Sequence, residues 1–193
     1  MGIRALVFVK SNEYKNDPIV YLNKLKDELF RLGAFGFESW HCRVTSAKKD
    51  NSNDIVVNMF QFMDNPECNA VLSKKETIIG DSAFLKNIGS IGFTKKNLLV
   101  KIEGSMAQIG DFKVRYGITS FKDKQIGILI DLEYLPITSM SVDFKLIFNG
   151  FLSLIGNKSD LVYTQSQNDA EYKFIHLIST YQQVFKDNEI VIQ

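Results

Sequence analysis

Asp131 and Glu133 stand two residues apart in the run Gly127-Ile128-Leu129-Ile130-Asp131-Leu132-Glu133-Tyr134. In an extended strand alternate side chains point the same way, so the two carboxylates share one face. Lys113 and Arg115 have the same spacing in the preceding run Phe112 to Thr119. Pairing these runs with their apolar faces together restricts the register to one parity, and one such register sets Lys113 opposite Glu133 and Arg115 opposite Asp131. In a barrel lumen, acids and bases so arranged could bind a divalent ion and a polyphosphate, the chemistry of a tunnel-type metal-dependent phosphohydrolase. That chemistry needs acidic pairs on more than one strand, and the opening segment Ile3 to Val9 contains no acid. A charged stripe that neutralises itself, at roughly 0.2 to 1 kcal/mol for each cross-strand pair, is the favoured reading.

Other catalytic groups are sparse. His41 and His176 are the two histidines, and neither is spaced with cysteine or carboxylate as a metal site requires. His41 and Cys42 are neighbours on an expected strand and therefore point to opposite faces. The chain has no Gly-x-Gly-x-x-Gly or Walker-type loop and no Gly-x-Ser-x-Gly elbow. Gly104, Gly110, Gly117, Gly127 and Gly150 are spread through hairpins and strands, where turns, bulges and close backbone approach account for them. Asn157-Lys158-Ser159 is a glycosylation sequon without other support for a secretory route. No cofactor is expected.

The elements that would position these residues are legible from periodicity. Ala5 to Val9 predicts a strand covered on both faces. Asp17 and Pro18 open a helix whose apolar positions are Ile19, Leu22, Leu25, Leu29 and Leu32, with Gly33 as its end. Phe37 to Thr45 and Ile55 to Phe62 predict antiparallel strands about an exposed loop, Lys48 to Asp54. Between Pro66 and Thr94, short strands at Ala70 to Leu72 and Thr77 to Ile79 and a helical turn at Ser82 to Ile88 are expected. From Asn97 to Leu135 period-two alternation predicts three consecutive antiparallel strands. One helix then runs from about Ser139 to Gly156, and a second opens at Asn168 with Glu171 as in a capping box. So many consecutive strands must close or cover their edges, which predicts an α+β fold built on an antiparallel β-barrel with one N-terminal and two C-terminal helices.

Composition bounds the rest. The 193 residues suit a single domain, 1–193, and with 45% hydrophobic residues, 15 Phe and 7 Tyr they can bury a core without disulfides. Lys plus Arg number 23 against 22 Asp plus Glu, so no long-range field draws phosphates or an anionic membrane. The pairs Lys48-Lys49, Lys74-Lys75 and Lys95-Lys96 sit far apart in sequence and read as solvated loop charge, so sequence-specific nucleic-acid binding is not expected. Two cysteines suit a reducing compartment. The apolar start is too short for a membrane span and has no small-residue cleavage site behind it.

Gln108-Ile109-Gly110-Asp111-Phe112-Lys113-Val114-Arg115-Tyr116-Gly117 resembles the diagnostic segment of the Mediator subunit 20 family, with its order Gly-Asp-Phe-x-Val-basic-x-Gly. Gly127 to Pro136 resembles the family's next strand and its exit, and Phe151 to Gly156 its helix end. The opening strand and Trp40-His41-Cys42-Arg43 are similar to it too. On this resemblance Gly110, Asp111, Phe112, Val114, Arg115, Gly117, Gly127, Glu133, Tyr134 and Pro136 are structural motif positions. The resemblance implies a barrel related in architecture to the tunnel triphosphatases but without their catalytic lining, and no enzyme activity. It further implies a nuclear heterodimer with Mediator subunit 18. The carboxyl-terminal helix of Mediator subunit 8 would join that pair to the other head-module subunits and couple it to RNA polymerase II and the general initiation factors. A phosphohydrolase or a small-ligand barrel is the alternative.

Overall fold

The computed structural model describes residues 2–14, 17–50, 55–73, 76–138, 144–157, 160–163 and 172–190, with main chain alone at 95 and 96. The strands are β1 (Ile3–Lys10), β2 (Phe35–Lys49), β3 (Val56–Phe62), β4 (Asn69–Leu72), β5 (Thr77–Gly80), β6 (Phe93–Ile109), β7 (Phe112–Phe121), β8 (Lys124–Tyr134) and β9 (Leu161–Val162). They form one antiparallel sheet in the order β5-β4-β3-β2-β6-β7-β8-β1-β9. Two meanders, β2 to β5 and β6 to β8, meet along the long β2–β6 pair, which is interrupted by register shifts where bulges add curvature. The helices are α1 (Pro18–Arg31), α2 (Ser82–Asn87), α3 (Phe144–Leu154) and α4 (Phe174–Asp187). Helix α4 touches β1 and both terminal strands, β5 and β9, so the sheet curls round it. Among the described residues the seam of this barrel-like sheet is spanned by the helix and not by a strand pair.

Local chemistry explains most element ends. Asp17 accepts a hydrogen bond from the Ile19 N–H at 2.8 Å and caps α1, and Pro18 occupies its first turn. Helices α1 and α3 are followed by Gly33 and Gly156 at φ 89° and 68°. Lys122 and Asp123, at φ 48° and 65°, make the two-residue turn between β7 and β8, the backbone that matches strand twist. Gly110, at φ 53°, does the corresponding job between β6 and β7.

Each face of the sheet is buried against helices. On the outer face Ala5, Val7, Ile128, Ile130, Leu132 and Val114 lie with Leu25 and Leu29 of α1 and the aromatic ridge of α3 in one core. Phe112 stacks on Phe151 at 4.3 Å and meets Phe148 edge-on at 5.7 Å. On the inner face Phe60 and Phe62 of β3 pack against Tyr181, and Phe60 also against Phe185 of α4. A smaller outer cluster holds Ala47, Val57, Met59 and Val71 against Leu85 and Ile88.

Several expectations are adjusted. The strand expected from Asn97 begins at Phe93, because β2 offers a partner along that whole length. Helix α4 begins at Phe174, leaving Tyr172 and Lys173 outside it; the expected cap residues Asn168 and Glu171 lie outside the described residues, as do the expected helix start at Ser139 and the loop 51–54. Lys48-Lys49 and Lys95-Lys96 are not remote loops: β2 and β6 pair Ala47 with Lys95 and Lys48 with Thr94, bringing both Lys pairs to one end of the sheet.

Candidate functional site: a neutralised charge network inside the barrel

The register expected for β7 and β8 is the one observed, Lys113 opposite Glu133 and Arg115 opposite Asp131. The partners differ from that simple ladder, because charges from other elements enter. Arg4 of β1 donates through Nε to Asp131 Oδ1 at 2.9 Å and through Nη2 to Oδ2, a bidentate pair. Tyr181 of α4 donates its hydroxyl to Asp131 Oδ2 at 2.8 Å. Arg115 reaches diagonally, Nη2 to Glu133 Oε2 at 2.8 Å, and forward, Nε to Asp64 Oδ2 at 2.6 Å. Asp64, just after β3, also accepts from Trp40 Nε1 at 3.0 Å and lies 3.5 Å from Lys113 Nζ. The Gly2 N–H donates to Glu133 Oε1 at 3.1 Å.

Three cations, Arg4, Lys113 and Arg115, thus face three carboxylates, Asp64, Asp131 and Glu133, and each of the six carboxylate oxygens accepts a hydrogen bond. The expected self-neutralising stripe is therefore present, but as a network whose side chains other than the half-buried Lys113 are buried, and not as a surface ladder; its energetics are those of desolvated ions. Burial works against the charges of Asp64 and Glu133, yet the guanidinium of Arg115 beside Asp64, and those of Arg4 and Arg115 beside Glu133, outweigh it. Both carboxyls are held below their ordinary range. Burial, reinforced by Asp131, pushes the Tyr181 phenol well up, so it stays a donor. A metal ion would have to compete with a guanidinium, indole or backbone donor at each of these oxygens. Among the described residues no three His, Cys, Asp or Glu side chains gather as ligands.

The remaining sequence candidates serve backbone and packing. A Cβ on Gly117 would lie 2.7 Å from the Glu103 carbonyl, and one on Gly127 would meet the Phe8 ring at 2.6 Å. Asp111 accepts the Leu135 N–H through its carbonyl at 2.9 Å, just before Pro136. Tyr134 lies over Phe112 at 5.0 Å, and Val114 is fully buried. Trp40 and Cys42 point inward while His41 is half-buried on the opposite face, as alternation requires. His176 Nδ1 accepts the Lys173 N–H at 2.9 Å and closes the first turn of α4. Sequence reasoning missed Arg4, Asp64, Trp40 and Tyr181 as network members. Arg4 alone left a trace, a charge breaking an apolar run. A groove of about 430 Å³ lies elsewhere, outside the barrel, with Tyr21 and Leu25 of α1 on one wall and Leu154 on the other.

The family model described as "TATA-binding related factor (TRF) of subunit 20 of Mediator complex" matches residues 1–186. The chain belongs to the Mediator subunit 20 family. No curated protein matches the sequence. Similar solved structures include the PH1012 protein of Pyrococcus horikoshii OT3, 17% identical, covering 90% of this chain and 96% of that one with a TM-score of 0.44. A chain of the Schizosaccharomyces pombe Mediator head module is 12% identical over 82% of this chain and 96% of that one, TM-score 0.42. A conserved hypothetical protein from Pyrococcus furiosus is 11% identical over 83% and 95%, TM-score 0.46. Within a Mediator subunit 20 fold, the charge network ties β1, β7, β8, the end of β3 and α4 into one unit.

Proposed function

We propose that this chain is a non-catalytic scaffold subunit of the nuclear Mediator head module. It pairs with Mediator subunit 18 as barrel against barrel, with Mediator subunit 8 engaging mainly through subunit 18, and so helps couple regulators to RNA polymerase II initiation. Family membership supports the Mediator assignment. The observation that carries the scaffold reading is the engagement of the lumen carboxylates: every oxygen of Asp64, Asp131 and Glu133 accepts a hydrogen bond, and among the buried atoms of these described side chains only Arg115 Nη1, 3.8 Å from Asp131 Oδ1, is without a hydrogen-bond partner. A lumen used in this way holds shape, and shape is what a scaffold offers its neighbours. The single chain, residues 1–193, acts as one unit in this reading, with the motif positions Gly110 to Gly117 and Gly127 to Pro136 as turn, packing and network residues.

The rival phosphohydrolase reading rests on Asp131 and Glu133 sharing the inner face, and one comparison separates the two. Purified protein is incubated with nucleoside triphosphate and divalent metal, and in parallel co-expressed with Mediator subunit 18. A stoichiometric complex and no turnover is the expected result. Turnover that disappears in Asp131→Asn and Glu133→Gln proteins that keep the native near-UV signal would establish the enzyme instead.

A further inference from the structure

The terminal strand β5, which pairs on one side only among the described residues, has a defined hydrogen-bonding pattern. Ser73 N–H donates to the Glu76 carbonyl at 2.9 Å, closing the β4–β5 hairpin, and the register continues as Leu72–Thr77, Val71–Ile78, Ala70–Ile79 and Asn69–Gly80. Antiparallel pairs alternate between bonded and non-bonded, so Ile78 and Gly80 bond inward to β4. The main-chain groups of Thr77 and Ile79 then point away from the sheet. The β3–β4 ladder has the matching phase, with Ala70 and Leu72 turned toward Phe60 and Asn58. Among the described residues no hydrogen bond reaches the outward groups of Thr77 and Ile79. The strand Thr77-Ile78-Ile79-Gly80 contains no charge and no proline, and although it is only four residues long and α4 touches it, Ile78 and Ile79 are 49% and 44% exposed.

We infer that β5 is a docking edge for an extended, uncharged segment of a partner subunit, which adds as a further strand. This rests on the scaffold reading above. Two N–H and two C=O groups, alternating about 7 Å apart along the edge, match an extended main chain and not a helix or a side-chain patch. The neutral edge takes a neutral segment, with apolar side chains beside Ile78 on the outer face and Ile79 on the inner one. Four residues pair too little surface to reach the roughly 1,000 Å² of a stable interface, so neither a free peptide nor edge-to-edge pairing of two copies suffices. The occupant is a segment of a protein already held by other contacts.

The test uses the whole chain, free and assembled with the Mediator subunits it co-purifies with, and Ile79→Pro as the diagnostic variant. Proline at 79 removes an outward N–H and a half-exposed side chain but no bond to β4, so Ile79→Pro is expected to lower Tm far less than Ile78→Pro, which breaks the β4 ladder. Ile79→Ala, which keeps the N–H, separates the side chain from the main chain. In the free chain the Thr77 and Ile79 amides exchange fast; in the complex their exchange slows at least about tenfold, and Ile79→Pro weakens assembly by a similar factor. Unchanged exchange at these two amides in a complex that does form overturns the inference, as does wild-type assembly by Ile79→Pro. Protection that appears with rising concentration of the free chain alone overturns it in favour of a second copy. Failure of the wild-type chain to assemble at all overturns the scaffold reading, and the docking edge with it.

Discussion

Asp131 illustrates how much one buried carboxylate can hold. It is fully buried, grips Arg4 with two hydrogen bonds and takes a third from Tyr181. Taking such ions out of water is costly, so the network is not a large net source of stability; removing one member is nevertheless severe, because its partners stay buried without a counter-charge. Asp131→Ala is therefore expected to destabilise the protein by about 3 to 5 kcal/mol, read from the urea midpoint at pH 7. The exposed Glu28–Arg31 pair, replaced in the same way, is expected to cost less than about 1 kcal/mol.

At the scale of elements, α4 is the part on which the others depend. Phe174, Leu177, Ile178, Tyr181, Val184 and Phe185 are all buried against the inner face, and the helix also touches the strands at both ends of the sheet. A chain truncated before Lys173 would expose Phe60, Phe62 and the charge network to water at once. It is expected to be insoluble or to bind a hydrophobic dye as a molten state, with native-like far-UV signal and lost near-UV signal. Helix α1 shows the contrasting case. Its cap, its proline and its terminal glycine all act locally, which is why its bounds could be read from sequence almost to the residue.

For the molecule as a whole, the low carboxyl pKa values set the response to acid. Asp64 and Glu133 are held below their ordinary values in the fold, so as pH falls the unfolded chain takes up protons first. Their contribution is complete above their unfolded values, about 4 to 4.5, and is lost as pH drops through the lowered folded values. Urea midpoints measured from pH 6 to pH 3 should fall steeply below about pH 4.5, and Glu133→Gln should flatten that slope while lowering stability at neutral pH.

The alternation of Phe112 to Thr119 with Ile126 to Tyr134 determined strand type, the parity of the register and the sharing of one face by Asp131 and Glu133, since period two is a property of the extended chain itself. What occupies that face was decided only by tertiary structure. Asp64 reaches Arg115 across 51 positions and Tyr181 reaches Asp131 across 50, and no local pattern encodes such distances. The burial that turns a charged stripe into a closed network, and the helix that seals it, exist because a curled sheet must fill its concave side. Folding the chain is what brings those groups together.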